Sequence, residues 1–226
     1  MTSWDRRTVL KGLALPLVAG ASAAGIAAAP ARAVEEGGRI ALPQPRLDRG
    51  VPLMQAIARR RSTRVFGAEP LDDALLSDCL FAAFGINRPQ TEGRTAPSWR
   101  TSYGTDILVA RADGVWFYDA EAHALERRME DDIRSEIGNQ AFVGTAPVVL
   151  IYVADLDRMH EAPDETRRHY AAVDAAFVSQ NVYLFAASED LATVVIGNLQ
   201  GETLPARLGL GEREMVAFAQ PIGHRG

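Results

Sequence analysis

Among its 226 residues the chain has one cysteine, Cys79, and one lysine, Lys11. A single thiol excludes an intrachain disulfide and any cysteine cluster for a metal. With one lysine, the positive charge rests almost wholly on arginine, whose planar fork suits two-point contact with phosphate or carboxylate oxygens. Basic charge is not in excess either: 24 Lys and Arg stand against 29 Asp and Glu, a net of -5. A protein that neutralises many nucleic-acid phosphates is usually basic, so no nucleic-acid partner is expected. G-x-x-x-x-G-K, H-E-x-x-H and G-x-S-x-G are all missing. The common phosphate-loop, zinc-protease and serine-hydrolase signatures therefore do not apply. Internal repeats are missing as well, which excludes solenoids and fibrous arrays. What is left is 47% hydrophobic and 23% charged, ordinary for a globular protein of one or two domains with one good core.

The long uncharged run lies at the N-terminus. Arg6-Arg7 and Lys11 precede residues 12–29, which are rich in Ala, Gly, Leu and Val, and Pro30-Ala31-Arg32-Ala33 follows. Ala31 and Ala33 give the small-x-small spacing of a signal-peptidase site. The layout resembles a twin-arginine export signal over residues 1–33, with Asp5 and Val9 where the pattern prefers Ser or Thr and Phe. The other reading is a membrane anchor near the minimum span, weakened by its Ala and Gly content. Cleavage after Ala33 would remove a net +3 and take the remainder from -5 to -8. The resemblance implies passage of the folded protein through the twin-arginine translocation machinery, to the periplasm or otherwise outside. A signal that is kept would leave the chain anchored at the membrane. Export in the folded state also favours a cofactor inserted beforehand.

Residues 34–50 are polar, with Gly37-Gly38, Pro43 and Pro45, and read as an extended arm or linker. The domain proper is expected over 51–226. Leu53, Met54, Ile57 and Ala58 fall at helical spacing and predict a short amphipathic helix over 51–60. Residues 71–84 repeat the pattern behind Pro70, with Asp72 and Asp73 in the first turn. Residues 85–98 read as a long loop. Residues 105–112 and 115–118 read as strands joined at Asp113-Gly114. A short helix is expected over 131–137. The apolar run 146–153 reads as a strand buried on both faces, and 167–189 as a central core helix, apolar nearly all round in its middle. A strand over 193–196, a helix over 204–208 capped by Gly209, and a last strand over 215–222 complete the reading. Hairpins without strict strand–helix alternation predict an α+β fold.

Three clusters could carry chemistry. Arg59 to Arg64 hold four arginines, with Ser62 and Thr63, where a helix ends. The functional reading is a phosphate clamp. The plainer one is a helix C-terminus decorated with cations that its dipole favours. The segment Arg94-Thr95-Ala96-Pro97-Ser98-Trp99-Arg100-Thr101-Ser102-Tyr103 offers several hydroxyls, a large aromatic and two arginines on a loop before a strand. It suits a planar polar ligand, or else a surface turn with Trp99 closing the core. In Ala192-Thr193-Val194-Val195-Ile196-Gly197-Asn198 a buried strand opens into a loop where Gly197 permits close backbone approach.

In this order and spacing the three clusters resemble the FMN-dependent nitroreductase superfamily, from about Val51 to Arg225. The strand Gly114 to Asp119 places the likeness nearer the branch that includes azoline-oxidising peptide dehydrogenases. The resemblance implies a nitroreductase-like fold: a central, mostly antiparallel sheet with helices on both faces, in a homodimer whose central helix includes Tyr170 to Asp174 and Gln180 to Val182. It implies FMN as cofactor. Arg60, Arg61, Ser62 and Arg64 would take its phosphate, and Pro97, Ser98, Trp99 and Thr101 would meet it at the dimer interface. Val195, Ile196, Gly197 and Asn198 would lie near the reactive nitrogen. Thr101 and Tyr103 stand where many members have Asn and Gln. Arg225 would replace the cation of a longer C-terminal tail, and the arm over 34–50 would wrap the partner. The activity implied is ping-pong electron transfer from an unidentified donor to a small organic acceptor. The rival is a flavin carrier or scaffold without turnover, or a binding module with no flavin.

Other polar residues read as structural. His160, Glu161, Asp164 and His169 sit in a charged stretch with Pro163 and read as a solvated loop, so no metal site is expected. Cys79 reads as core, and Asp174 as a buried hydrogen-bonding group.

Overall fold

The computed structural model describes residues 38–201 and 203–226. The expected export signal and residues 34–37 of the arm lie outside the described residues. Nine strands and six helices are found among those described: β1 (Arg39–Ala41), α1 (Leu53–Arg59), α2 (Asp73–Phe84), β2 (Ile86–Arg88), β3 (Gly93–Arg94), β4 (Thr105–Arg111), β5 (Gly114–Asp119), β6 (Ala124–Met129), α3 (Arg134–Ile137), α4 (Ala141–Thr145), β7 (Val148–Asp155), α5 (Asp164–Ser188), β8 (Ala192–Thr193), α6 (Leu204–Arg207) and β9 (Glu214–Gly223).

Seven strands form one antiparallel sheet in the order β1-β6-β5-β4-β7-β9-β8, and β2 pairs with β3 separately. Residues alternate between faces with period two. On β7, Val148, Leu150 and Tyr152 join the core under α2 and α5, while Val149, Ile151 and Val153 join a second core with residues of α3, α4 and α6. A strand buried on both faces was expected here, and β7 is one. The β4–β5 turn uses Ala112 and Asp113, one residue earlier than the spacing suggests, with Gly114 already in the strand. Gly114 has φ +121°, and a Cβ there would lie 2.2 Å from the Met129 carbonyl oxygen. Only glycine fits.

The arm is not a free linker. Its β1 segment pairs with β6, and Ile40 and Leu42 are buried in the first core. The Pro43 carbonyl accepts from the Ser77 hydroxyl, and Asp78 accepts from the Arg46 amide and guanidinium and from Arg49. Arg49 also pairs with Glu189. Burial alone would raise the Asp78 carboxyl, but the hydrogen bonds from Arg46 and Arg49 hold it below the usual carboxylate range. These contacts seat residues 39–49 on their own chain.

Several elements differ from expectation for identifiable reasons. Strand β6 reads as polar, yet Arg127 lies over the Trp116 ring at 4.1 Å and Arg128 over Phe117 at 4.8 Å. Its arginines cover aromatic surface while their heads stay polar. Asp72 is the N-cap of α2 and accepts from the Leu75 amide at 2.6 Å, so the helix begins at Asp73. The helix expected over 131–137 contracts to α3 because Asp132 turns back onto Arg134. The strand expected over 193–196 ends at Thr193, and Ile196 rejoins through a lone bridge to Ala219. Helix α5 starts earlier than expected, at Asp164, with Asp164 and Glu165 in its first turn. His169 and Asp164 are therefore helical. Asp164 pairs with Arg213. Cys79 is fully buried, and burial with Asp78 nearby pushes its thiol up to about 12, so it is inert.

Helix α1 departs most. Leu53, Met54 and Ile57 are exposed, and only Ala56 of the helix is buried. Helix α1 rests on α5, whose Phe177 is also exposed. Among the described residues, no helix is long and apolar enough to cross a membrane.

Candidate functional site

The expected site residues fall into two groups, both anchored on α5. The first gathers around Tyr183. The chain leaving α1 runs extended, and the Thr63 amide bonds the Thr193 carbonyl at 2.9 Å. Phe66 then bridges Arg225, and the Gly67 amide bonds the His224 carbonyl at 2.9 Å. Arg60, Arg61, Ser62 and Arg64 are thus brought beside the loop 195–198 and the C-terminal segment. The Ser62 and Tyr183 hydroxyls lie 2.9 Å apart, the Val195 amide donates to the Tyr183 oxygen at 2.9 Å, and the Arg60 guanidinium lies 5.3 Å from the Tyr183 ring centre. Arg61, Ser62 and Arg64 are exposed. Among the described residues neither Arg61 nor Arg64 has an acidic partner, whereas Arg39, Arg134, Arg207 and Arg213 are each paired with one.

Within the loop, the backbone donors divide. The Val195 amide is taken by Tyr183, and the Ile196 amide by the Ala219 carbonyl at 2.7 Å. Both amide protons already have acceptors within the chain. The Ile196 side chain belongs to the second core. The Gly197 and Asn198 amides bond no described residue, and both residues are exposed. A Cβ at Gly197 would meet nothing within 4 Å, so a ligand can approach its backbone. The Asn198 side chain accepts from Asn139 at 3.1 Å. Arg225 is near, but its guanidinium pairs with Asp190 at 2.8 Å. Arg225 was expected to supply the cation of a longer tail; in the single chain Asp190, just past α5, engages it.

The second group surrounds Asp174. This residue is 2% exposed and accepts from the Ser98 hydroxyl at 2.7 Å and the Trp99 amide at 2.9 Å. Burial outweighs those bonds and holds its carboxyl above the usual range. It is the buried hydrogen-bonding group expected, and it shapes the loop after Pro97. Trp99 stacks on Tyr170 with ring centres 4.6 Å apart, and His160 meets Trp99 edge-on. Arg100, Thr101 and Tyr103 all have positive φ, 51°, 56° and 47°. Such a run in non-glycine residues stores strain, which concentrates at functional sites. The Thr101 hydroxyl donates to the Arg100 carbonyl at 2.6 Å.

Asp174 and Tyr183 are nine residues apart on α5, about 13 Å along the helix axis. One chain therefore brings the first group together and holds the second apart from it. Sequence reasoning missed Tyr183. A tyrosine in an apolar helix must find a partner for its hydroxyl, and that was the available signal. Among the described residues, no group of three or more His, Cys, Asp and Glu is arranged to hold a metal.

Comparison with known proteins agrees with this geometry. A profile of the Nitroreductase family matches residues 57–224. A provisionally named nitroreductase of Methanocaldococcus jannaschii is 29% identical over 185 residues, 77% of this chain and 92% of that protein. A crystal structure of another, from Ralstonia eutropha, is 40% identical with a TM-score of 0.79, covering 83% of this chain and 90% of that one. A third, from Desulfovibrio desulfuricans and in complex with FMN, is 26% identical with a TM-score of 0.57, covering 78% of this chain and 87% of that one. The match spans most of the chain and both clusters on α5, and the chain belongs to the nitroreductase family.

Proposed function

We propose that this chain is an exported, homodimeric FMN-dependent oxidoreductase that passes electrons to a small organic acceptor in a ping-pong cycle. The observation that carries the reading is the convergence of unpaired arginines, an exposed Ser62 hydroxyl and the free Gly197 and Asn198 amides at one end of α5. That set fits a dianionic phosphate and a planar, hydrogen-bonding ring. Arg60, Arg61 and Arg64 would neutralise the phosphate and Ser62 would donate to it. The Gly197 and Asn198 amides would face the ring, because Val195 and Ile196 are committed elsewhere. FMN supplies the hydride and electron chemistry when bound, and the protein supplies position and electrostatics. The lack of a protein nucleophile or acid–base pair among these residues agrees with that division. The Gly114 to Asp119 strand supports a place near the azoline-oxidising branch of the family.

A second copy completes the reading. Leu53, Met54, Ile57 and Phe177 leave an apolar surface on α1 and α5 between the two residue groups. Pairing two such surfaces would bury it and bring the Pro97 to Thr101 loop of one chain toward the arginine cluster of the other. Outside the cytoplasm nicotinamide donors are scarce, which points to a quinol, a small redox protein or the substrate itself as reductant. The Thr101 hydroxyl, turned onto its own backbone, favours the rival reading of a flavin carrier without turnover.

The test is an absorption spectrum of the chain purified from cells competent for twin-arginine export, followed by reduction with candidate donors. Flavin bands that bleach with a donor and recover with an acceptor support the enzyme. Flavin bands that no donor bleaches support the carrier. A colourless protein that takes up no added FMN contradicts both.

A further inference from the structure

We infer that Tyr183 is a positioning residue that sets both halves of the cofactor site at once; the inference rests on the FMN reading above. Its side chain is 7% exposed and projects from α5, the helix that carries both residue groups. Its oxygen accepts the Val195 amide proton at 2.9 Å and lies 2.9 Å from the Ser62 oxygen. Its ring lies beneath Arg60. One phenol thus joins the arginine segment to the loop that presents Gly197 and Asn198.

Proton donation has one favourable direction in the inferred arrangement. With the Val195 proton received at the Tyr183 oxygen, the Tyr183 proton given to Ser62 leaves the Ser62 proton free to point outward to an anion. Each bond polarises the next, so the Ser62 hydroxyl becomes a better donor than an isolated serine. The same phenol withdraws the Val195 amide from any ligand. The loop therefore offers the two amides beyond it, Gly197 and Asn198, where no side chain blocks approach. Tyr183 touches no ligand in this scheme; it acts through Ser62 and through the loop.

The test compares the unsubstituted full chain with Tyr183→Phe and Ser62→Ala. Phenylalanine keeps the ring under Arg60 and removes only the hydroxyl. Without FMN, amide hydrogen exchange in Tyr183→Phe should rise about tenfold at Val195 and its loop and at residues 62–66, while α2 and the β4–β7 pair keep their protection. With FMN, Tyr183→Phe should weaken binding about tenfold and shift the midpoint potential of the bound flavin. Ser62→Ala should weaken binding and leave the potential and the Val195 exchange unmoved, since the Tyr183–Val195 bond survives. Unchanged exchange at Val195 in Tyr183→Phe, or equal effects of the two variants on potential, overturns the inference. If the unsubstituted chain takes up no FMN, the proposed function fails instead, and the local exchange still decides whether Tyr183 holds the two segments.

Discussion

Helices α1 and α2 carry similar apolar spacing and meet opposite fates. In α2, Leu76, Cys79, Leu80 and Ala83 are fully buried in the first core, among residues of the sheet and α5. In α1, Leu53 is 62% exposed, Met54 72% and Ile57 47%. Apolar residues at intervals of three and four show that a helix face seeks cover. They do not show whether the cover comes from the same chain. For α2 the sheet and α5 together supply it. Among the described residues α1 packs chiefly on α5, with Ala56 buried and the rest left exposed. In the proposed dimer a second copy covers that face.

The comparison can be broken at several points. The largest effect belongs to α2: Leu80→Ala should cost about 3 kcal/mol in urea unfolding, because it opens a cavity in a fully packed core. A cost below that of a surface change would mean the two helices do not differ as described. Asp78→Ala should cost about 2 kcal/mol by releasing Arg46 and Arg49 and loosening the arm. Asp78 is held below its ordinary value, so its contribution is fully present above the unfolded carboxylate pKa and is lost as pH falls through the lower folded one. The gap between the two proteins should therefore narrow on acidification below about pH 4; a gap that widens there would contradict the assignment. Asp174→Asn should cost about 1 kcal/mol and speed exchange at the Trp99 amide, since one carbonyl oxygen replaces two carboxylate oxygens. Undisturbed exchange at Trp99 would show that the loop holds without it. The smallest effect belongs to α1: Ile57→Ala should change the stability of the dissociated chain by less than about 0.5 kcal/mol.

The contrast between these helices also marks how far the sequence could be read. The apolar run that became β7 and, to within one residue, the β4–β5 hairpin were legible because burial on both faces and a tight turn leave local signatures. Strand β6 was not, because its arginines lie over the Trp116 and Phe117 rings, partners on another strand. Strand β1 was not, because three residues carry too little pattern and owe their form to pairing with β6. In the site, the arginine run and Gly197 stood out as residue types suited to an anion. Which amides of the loop remain free could not be read locally. Tyr183 and Ala219 decide that, and both lie in other elements. Likewise the Arg225–Asp190 pair depends on two segments 35 residues apart.

The central claim is that the two residue groups on α5 form one cofactor site only across a pair of chains. The most direct measurement is FMN titration of the double variant Leu53→Asp, Ile57→Asp, with its mass followed by sedimentation. The account predicts a folded single chain, with unchanged far-ultraviolet dichroism, that binds FMN at least tenfold more weakly than the paired parent. A variant that sediments as a single chain and binds FMN as tightly as the parent would show that one chain carries the whole site, and would contradict the account.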